Sequence, residues 1–579
     1  MKYHKFIRKW LEDSLCKYNE EEGMIFQINE DMQGGYHTKR QGKVHNINST
    51  ASFAADILTF GLEEHYPKAF RALERICELQ DTREGSKTFG LWAYYMEEDL
   101  EHMIAPDYNW ANVVGEHLLQ VAINCKDLLM EGLWNKLCVA IHNASRCTIT
   151  RNVAADYTNV SLMGSVTLTA AGELLEDKEF FEIGKARLKK LYEYTRFNGA
   201  FSEYNSSRYI LVAKFEIGRM LAFFKDEQCR FMAEELNRYM WKMLASHYNL
   251  CIRQLTPPQA RAYFDLDYGD LAWNIWDGTD GRYGLDNESG ICMEALCFPT
   301  KCPEDMYHYF EETERFQADT YYKPNNIRTQ GEDVTIIREL DSPALTAYSY
   351  QNPYYSMGAF AFCDTWNQRR NCMIVWGKEH PKYFRLRGMD GDYDFCSGIV
   401  NACQNRNKIL GQLGLVSDRG TFHYILDKVK NGIYETDALY FMFELGGETE
   451  GLRILQNGKD FCIEDGLMKI ILHVEKWIFD GKEAEVKVSE DGCAVILEGY
   501  RGDKVMFDTN KLGETYGVFT LTAEYQADDI KEQISMEEAE APVIIKHLSE
   551  GRVETSCGEL KVSSYCYTVP YRKALGLSE

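Results

Sequence analysis

The chain predicts an α/α toroid of helical hairpins followed by an antiparallel β-sandwich, on three observations. Eight runs before about residue 300 carry apolar residues at three- and four-residue spacing, and from about Asn325 the apolar period drops to two. A small acidic–tyrosine–asparagine pattern also returns three times, with its asparagines 50 and 46 residues apart, the length of one helical hairpin.

Met1 to Leu15 carries Lys2, Lys5, Arg8 and Lys9 with no apolar run behind them, which is not the pattern of a secretory leader. No window approaches the ~18 consecutive apolar residues of a membrane span. The helical runs are Ala51 to Leu62, Tyr66 to Leu79, Val113 to Cys125, Leu133 to Ser145, Leu162 to Leu175, Phe180 to Thr195, Tyr209 to Phe224 and Cys229 to His247. Short polar or glycine-containing connections join them. Consecutive long helices without a strand signal between them imply antiparallel packing in a ring or solenoid.

Pro303 to Lys323, acidic and aromatic, reads as a connection. Beyond it, alternating runs such as Tyr440 to Phe443, Lys469 to Val474, Val518 to Leu521 and Glu559 to Val562 are separated by the turn pairs Asn457-Gly458, Asp480-Gly481 and Asp491-Gly492. The expected division is therefore residues 1–302 as toroid, 303–324 as link and 325–579 as sandwich.

Composition narrows the function. A net charge of -25 and a pI near 5.1 argue against sequence-independent binding to nucleic acid, and no membrane partner is expected. Eighteen cysteines without a disulfide framework read as reduced thiols, and with no leader the expectation is a cytoplasmic protein. The aromatic share is 13%, with 36 Tyr and 10 Trp; such rings suit sugars, because their flat faces stack on pyranose C–H surfaces while phenols still hydrogen-bond.

The recurring clusters are Asp107-Tyr108-Asn109 with Trp110 behind it, Asp156-Tyr157-Thr158-Asn159, and Glu203-Tyr204-Asn205. Helix capping accounts for Asp or Asn at such points but not for a tyrosine beside each. Around the third cluster, Phe201 to Tyr209 gathers a carboxylate, two phenols, an amide and Arg208 into nine residues. Further on, Pro257-Pro258 forms a rigid turn that aims Arg261 and Tyr263.

With those residues in view, the chain resembles the hyaluronate, chondroitin AC and xanthan lyases and, more distantly, heparinase II/III-like proteins. In the first group the cleft carries an Asn opening a helix, a Gly-x-Phe-x-x-His segment with a Tyr shortly after it, and an Arg in a later loop. Here Asn159, with Gly164 following, stands for the asparagine; Gly199 to Tyr204 for the Gly-x-Phe segment; Tyr209 for the tyrosine; Arg261 for the arginine. Tyr204 occupies the position of the family's histidine, so the base differs or comes from elsewhere, with His117 and His247 as candidates. Tyr350 to Gly358 resembles a heparinase-like segment where the sandwich loop meets the toroid, which brings in Tyr354.

The resemblance implies cleavage of a uronic-acid glycan by β-elimination. Aimed donors must stabilise the carboxylate as the C5 carbanion develops, which suits Asn159 and Arg261, while a base and an acid handle two protons. Tyr204 and Tyr209 could do both if a cation such as Arg208 lowers a phenol pKa from about 10. Asp107, Tyr108, Asn109, Trp110, Asp156, Tyr157, Asn205, Arg208, Tyr263 and Tyr354 are then expected to line the substrate, and Glu203 to share in catalysis.

Two alternatives stay open. The first is a glycoside hydrolase with Glu203 as acid and Asp107, Asp156, Asp265 or Asp267 as its partner. The second is a glycan-binding protein without activity. No cofactor is expected. Cys292, Cys297 and Cys302, spaced Cys-x4-Cys-x4-Cys with Glu288 or Glu294 nearby, resemble the cysteine-and-zinc arabinofuranosidases, but the spacing is not a standard zinc motif and no metal site is assigned.

Overall fold

The computed structural model describes residues 3–30, 37–322, 344–418, 432–466, 468–526 and 541–577. Its N-terminal half is helical and is followed by a region of many antiparallel strands. The expected onset of that region at Asn325 lies outside the described residues.

After α1 (His4–Leu15) come four hairpins: α2 (Ile47–Thr59) with α3 (Tyr66–Glu78), α4 (Trp110–Asn124) with α5 (Glu131–Arg151), α6 (Thr158–Leu174) with α7 (Lys178–Asn198), and α8 (Tyr209–Phe223) with α9 (Glu227–His247). These eight helices coincide with the eight amphipathic runs. Asn46, Asp177 and Asp226 start α2, α7 and α9 by accepting backbone N–H groups, each cap stabilising its helix by about 1 kcal/mol.

The first arms α2, α4, α6 and α8 pack side by side as one layer, and the return arms pack outside it. Their burial follows position: α4, α6 and α8 are buried around almost their whole circumference, whereas α7 and α9 keep a charged face in water. Because alternate arms run in one direction, the starts of α4, α6 and α8 share one end of the layer.

The helical half is not free of strands. Tyr18–Asn19, Met24–Asn29 and Gly42–His45 form a small antiparallel sheet, and Tyr248–Asn249 pairs with Gln254–Leu255. These short pieces sit between helices, where alternation over two to six residues is too brief to separate from a loop.

Two large sheets follow. In one of nine strands, Arg315–Tyr322 is an edge, next to Ala344–Gln351 and then Tyr355–Phe360, Cys372–Trp376, Lys382–Asp390 and Ile433–Gly447. The other, of eight, centres on Met468–Phe479, Tyr516–Tyr525, Lys408–Leu415 and Gly398–Asn405. They face one another, with Phe443 against Phe519 at 5.0 Å between ring centroids and Phe441 against Trp477 at 5.7 Å. A three-stranded sheet, Ile544–His547, Arg552–Cys557 and Leu560–Tyr565, lies against the second.

The strand Tyr355–Phe360 is buried at every residue because both its faces are covered. Its odd positions face the second sheet, where the Tyr355 hydroxyl donates to the Ala523 carbonyl at 3.0 Å. Its even positions face the helical half: Ser356 meets Asn249, Phe360 meets Tyr204, and Gly358 lies so close to Pro257 that an added Cβ would stand 2.0 Å from its carbonyl oxygen.

The segment Pro303–Lys323, read as a connection, instead contains the strand Arg315–Tyr322. Its alternate residues Arg315, Gln317 and Asp319 all turn toward the end of α9. All eighteen cysteines are free, and no described helix is long and apolar enough to cross a membrane.

Candidate active site

The loop between α7 and α8 organises the site. Gly199, at φ 75°, ends α7, and Asn205, at φ 49°, reverses the chain again. The Asn205 amide donates to the carbonyls of Thr256 (2.6 Å) and Pro258 (2.8 Å), tying the loop to the turn before Arg261. The Ser206 hydroxyl accepts from the Tyr209 N–H at 3.1 Å and donates to the Arg261 carbonyl. On the other side, Ala260 N–H donates to the Tyr204 carbonyl (2.9 Å) and Ala262 N–H to that of Gln368 (2.7 Å). Arg261 is thereby held between the helical half and the loop around residues 365–371.

Its guanidinium donates from Nη1 to Glu203 Oε1 at 2.5 Å and from Nε to Gln368 Oε1 at 2.9 Å. It also lies 4.1 Å over the Tyr209 ring and 5.3 Å from that of Tyr157. Glu203 accepts two more hydrogen bonds, from Asn159 N–H (3.0 Å) and from Asn159 Nδ2 (2.5 Å). Burial pushes the Glu203 carboxyl above its ordinary range, while Arg261 and Asn159 pull against it. Burial opposes the Arg261 cation, yet the Glu203 carboxylate and nearby phenols hold its pKa above the usual arginine value.

Tyr209 and Tyr263 share a 2.9 Å hydrogen bond between hydroxyls, and Tyr263 is 51% exposed, so this pair forms the open side of the cluster. Burial drives the Tyr209 phenol well above the tyrosine range despite the cation over its ring. A lowered tyrosine pKa was expected here. Arg208 is exposed, Arg261 is the cation beside the ring, and desolvation outweighs it, so Tyr209 stands protonated at neutral pH as a donor.

Tyr204 turns the other way. Its hydroxyl lies 2.9 Å from His247 Nε2 and donates to Asp319 Oδ2 at 2.8 Å. His247 Nδ1 faces the Met243 carbonyl at 3.0 Å, an acceptor, which places the ring proton on Nδ1 and the lone pair on Nε2. Burial keeps His247 below the usual histidine pKa, with Asp319 working in the opposite sense. Tyr204 and His247 are each 1% exposed, and the pair reaches the surface through Asp319, whose side chain is 40% exposed.

The three clusters are not structurally equivalent. Asn109 immediately precedes α4, Asn159 is the second residue of α6, and Asn205 lies four residues before α8. Asp107 accepts from the Tyr94 hydroxyl (2.8 Å) and the Asn109 N–H (3.0 Å), and Trp110 packs on Tyr94 at 4.2 Å. Burial raises the Tyr108 phenol, with Cys147 adding to the shift and Arg151 opposing it near the end of α5. The Asp156 carbonyl accepts from Ser202.

Asn205 is fully buried as a strut of the turn, not a residue lining open space. Tyr354 stacks on Tyr525 at 3.5 Å, joining the turn before the strand Tyr355–Phe360 to the second large sheet. Asp265 pairs with Arg370 and Arg385, and Asp267 accepts from Tyr248. His117 lies buried inside the helical layer, and burial with Arg219 nearby pushes it down to about 4. Cys297 faces Asp56 and Gln120, Cys302 faces the Pro303 carbonyl, and among the described residues the three spaced cysteines do not converge.

Sequence reading missed Trp366, Gln368, Gln317 and Asp319, which reach the site from strands and loops 70 to 115 residues from their partners. Only Arg315–Tyr322 offered a signal, its polar residues alternating with others.

A family model described as "Domain of unknown function (DUF8769)" matches residues 17–276, which hold the four hairpins and most of this cluster. No curated protein matches the chain. Among solved structures, the chain is similar to a heparinase III with methylated lysines, at 9% identity over 96% of this chain and 89% of that one, TM-score 0.37. It is also similar to a mutant of the heparan sulfate lyase HepC from Pedobacter heparinus, at 10% identity over 97% and 89%, TM-score 0.28. A third is a GH127 β-L-arabinofuranosidase from Geobacillus stearothermophilus T6, at 8% identity over 88% and 75%, TM-score 0.22.

Proposed function

We propose that this protein is a carbohydrate-active enzyme that cleaves uronic-acid-containing oligo- or polysaccharide by β-elimination. The hairpins would close into an α/α toroid holding the cleft at the starts of α4, α6 and α8, with the two large sheets as a β-sandwich completing one wall. The observation that carries the reading is Arg261, fixed by Glu203 and Gln368 and lying over a protonated Tyr209 phenol that leads to exposed Tyr263. A guanidinium has five donors, and the two bonds to Glu203 and Gln368 use only some of them, so Arg261 can meet a substrate carboxylate as charge develops at C5.

Tyr209 then protonates the leaving glycosidic oxygen. Tyr204 takes the C5 proton through the opening at Asp319, its own hydroxyl proton turning from the Asp319 carboxylate to the neutral Nε2 of His247 as it does so. Asn159 and Glu203 orient Arg261. Tyr157, Tyr263 and the more distant Tyr108 and Trp110 offer ring faces to sugar units.

The hydrolase reading finds support in one observation, the raised pKa of Glu203. Against it stand three donors aimed at that carboxyl, all of which favour the ionised form. The test is incubation with a panel of uronate oligosaccharides, following both ultraviolet absorbance from a new C4–C5 double bond and release of reducing ends. Elimination raises both. Reducing ends without absorbance would select hydrolysis with Glu203 as acid, and neither signal would leave a binding protein. Tyr209→Phe should lower turnover by about 10² to 10⁴ with little change in affinity.

A further inference from the structure

Far from this cluster, three potential metal ligands of different kinds converge where the three-stranded sheet meets the second large sheet. Glu514 precedes the strand Tyr516–Tyr525, His547 ends the strand Ile544–His547, and Cys566 follows the strand Leu560–Tyr565. Their ligand atoms all lie within 4.8 Å of one another. His547 Nδ1 is 3.7 Å from Glu514 Oε1, and Cys566 Sγ is 4.0 Å from the same oxygen. A tetrahedral ion with bonds of about 2.0 to 2.3 Å sets such ligand atoms about 3.3 to 3.7 Å apart, so side-chain shifts of up to about 1 Å would close the site.

The surroundings match what a metal site requires. Backbone bonds pin the three segments together, Thr515 N–H donating to the Cys566 carbonyl at 2.6 Å and Cys566 N–H to that of Gly551 at 2.9 Å. With Nδ1 on the ion, the other ring nitrogen of His547 carries the proton and faces the Tyr516 hydroxyl at 3.5 Å. The Tyr567 hydroxyl donates to Glu514 at 3.4 Å. Groups that orient a ligand imidazole and a ligand carboxylate are the usual outer partners of a metal centre. Cys566 is buried at 1% exposure beside Val518 and Val553, while His547 is 53% exposed, so the ion would be anchored inside and open to water on one side.

We propose that Glu514, His547 and Cys566 bind a zinc-class divalent ion, with water as fourth ligand, that fastens the three-stranded sheet to the strand Tyr516–Tyr525. A thiolate, an imidazole and one carboxylate form a ligand set that favours zinc over calcium or magnesium, which take oxygen ligands. Binding moves the Cys566 thiol proton, now directed at the Gly551 carbonyl at 3.1 Å, to solvent.

The test uses the full chain stripped with a chelator, then titrated with Zn²⁺ alone and separately with Co²⁺. One zinc per chain is expected, together with a thiolate-to-cobalt charge-transfer band and a higher melting temperature with zinc. His547→Ala, at an exposed position that leaves the core intact, and Cys566→Ser should each weaken binding at least ~10-fold. Both should lose the band and the thermal shift. Wild-type protein that takes up no zinc, or a His547→Ala variant that binds as wild type with the cobalt band unchanged, would overturn the proposal. The latter result would place the metal on other cysteines.

Discussion

The Tyr204 hydroxyl stands 2.9 Å from His247 Nε2, a contact between the loop before α8 and the last residue of α9. It supplies a neutral imidazole where sequence comparison left a phenol in place of a histidine. Tyr204→Phe and His247→Gln should each reduce turnover by about 10² to 10⁴, and the double variant should cost little more than either single one if the two act as a unit. Single-turnover rates beside binding constants check this. Because burial lowers the His247 pKa, the base form persists below the ordinary imidazole value, and the acid limb of the pH–rate profile should lie under about pH 6.5.

Glu203 and Arg261 are a buried pair, their side chains 6% and 16% exposed. Removing one partner leaves an uncompensated charge, so Arg261→Ala should destabilise the fold by about 3 to 5 kcal/mol. Replacing both, as Glu203→Gln with Arg261→Met, should recover much of that loss. Urea unfolding of the two singles and the double gives the coupling; additive effects would mean that the pair is not energetically linked.

Asn205→Ala tests a strut. The amide holds two carbonyls of the turn before Arg261, and the backbone at φ 49° resists a Cβ-bearing residue without a compensating side chain. A loss of about 2 to 4 kcal/mol is expected. Substrate affinity per folded molecule should fall only as far as Arg261 shifts, whereas a direct sugar contact would lower affinity with stability unchanged.

His117 should contribute a pH-dependent term to stability. Its folded pKa of about 4 lies below the unfolded value near 6.5, so the unfolded chain binds the extra proton. The contribution is complete above about pH 6.5, is lost as pH falls toward 4, and amounts to roughly 3 kcal/mol. His117→Gln removes that proton. The difference in unfolding free energy between wild type and variant, measured from pH 7 to 4, should slope in this sense, while other carboxylates cancel. A flat difference would place the folded pKa near 6.5.

Apolar spacing located the eight helices of the four hairpins: α7 and α9, buried on one side, must repeat apolar residues every three or four positions, while α4, α6 and α8, buried nearly all round, read as long apolar runs. The strands at Tyr440 to Phe443, Lys469 to Val474, Val518 to Leu521 and Glu559 to Val562 were legible as alternation, whereas Tyr355–Phe360 and Cys372–Trp376, buried on both faces, carry no such pattern. Local pattern also singled out Asn159, Glu203, Tyr209, Arg261 and Tyr263, which do meet. It could not tell that Asn205 faces inward and Tyr204 away from Glu203, since neighbouring side chains in a loop diverge according to φ and ψ. Nor could it pair Tyr204 with His247 and Asp319, or Arg261 with Gln368, contacts that join chain segments 43 to 115 residues apart. Those partners were decided by the tertiary structure: the packing of the edge strand Arg315–Tyr322 and of the loop around residues 365–371 against the helical layer, where buried polar groups must find donors or acceptors at whatever sequence distance the fold supplies them.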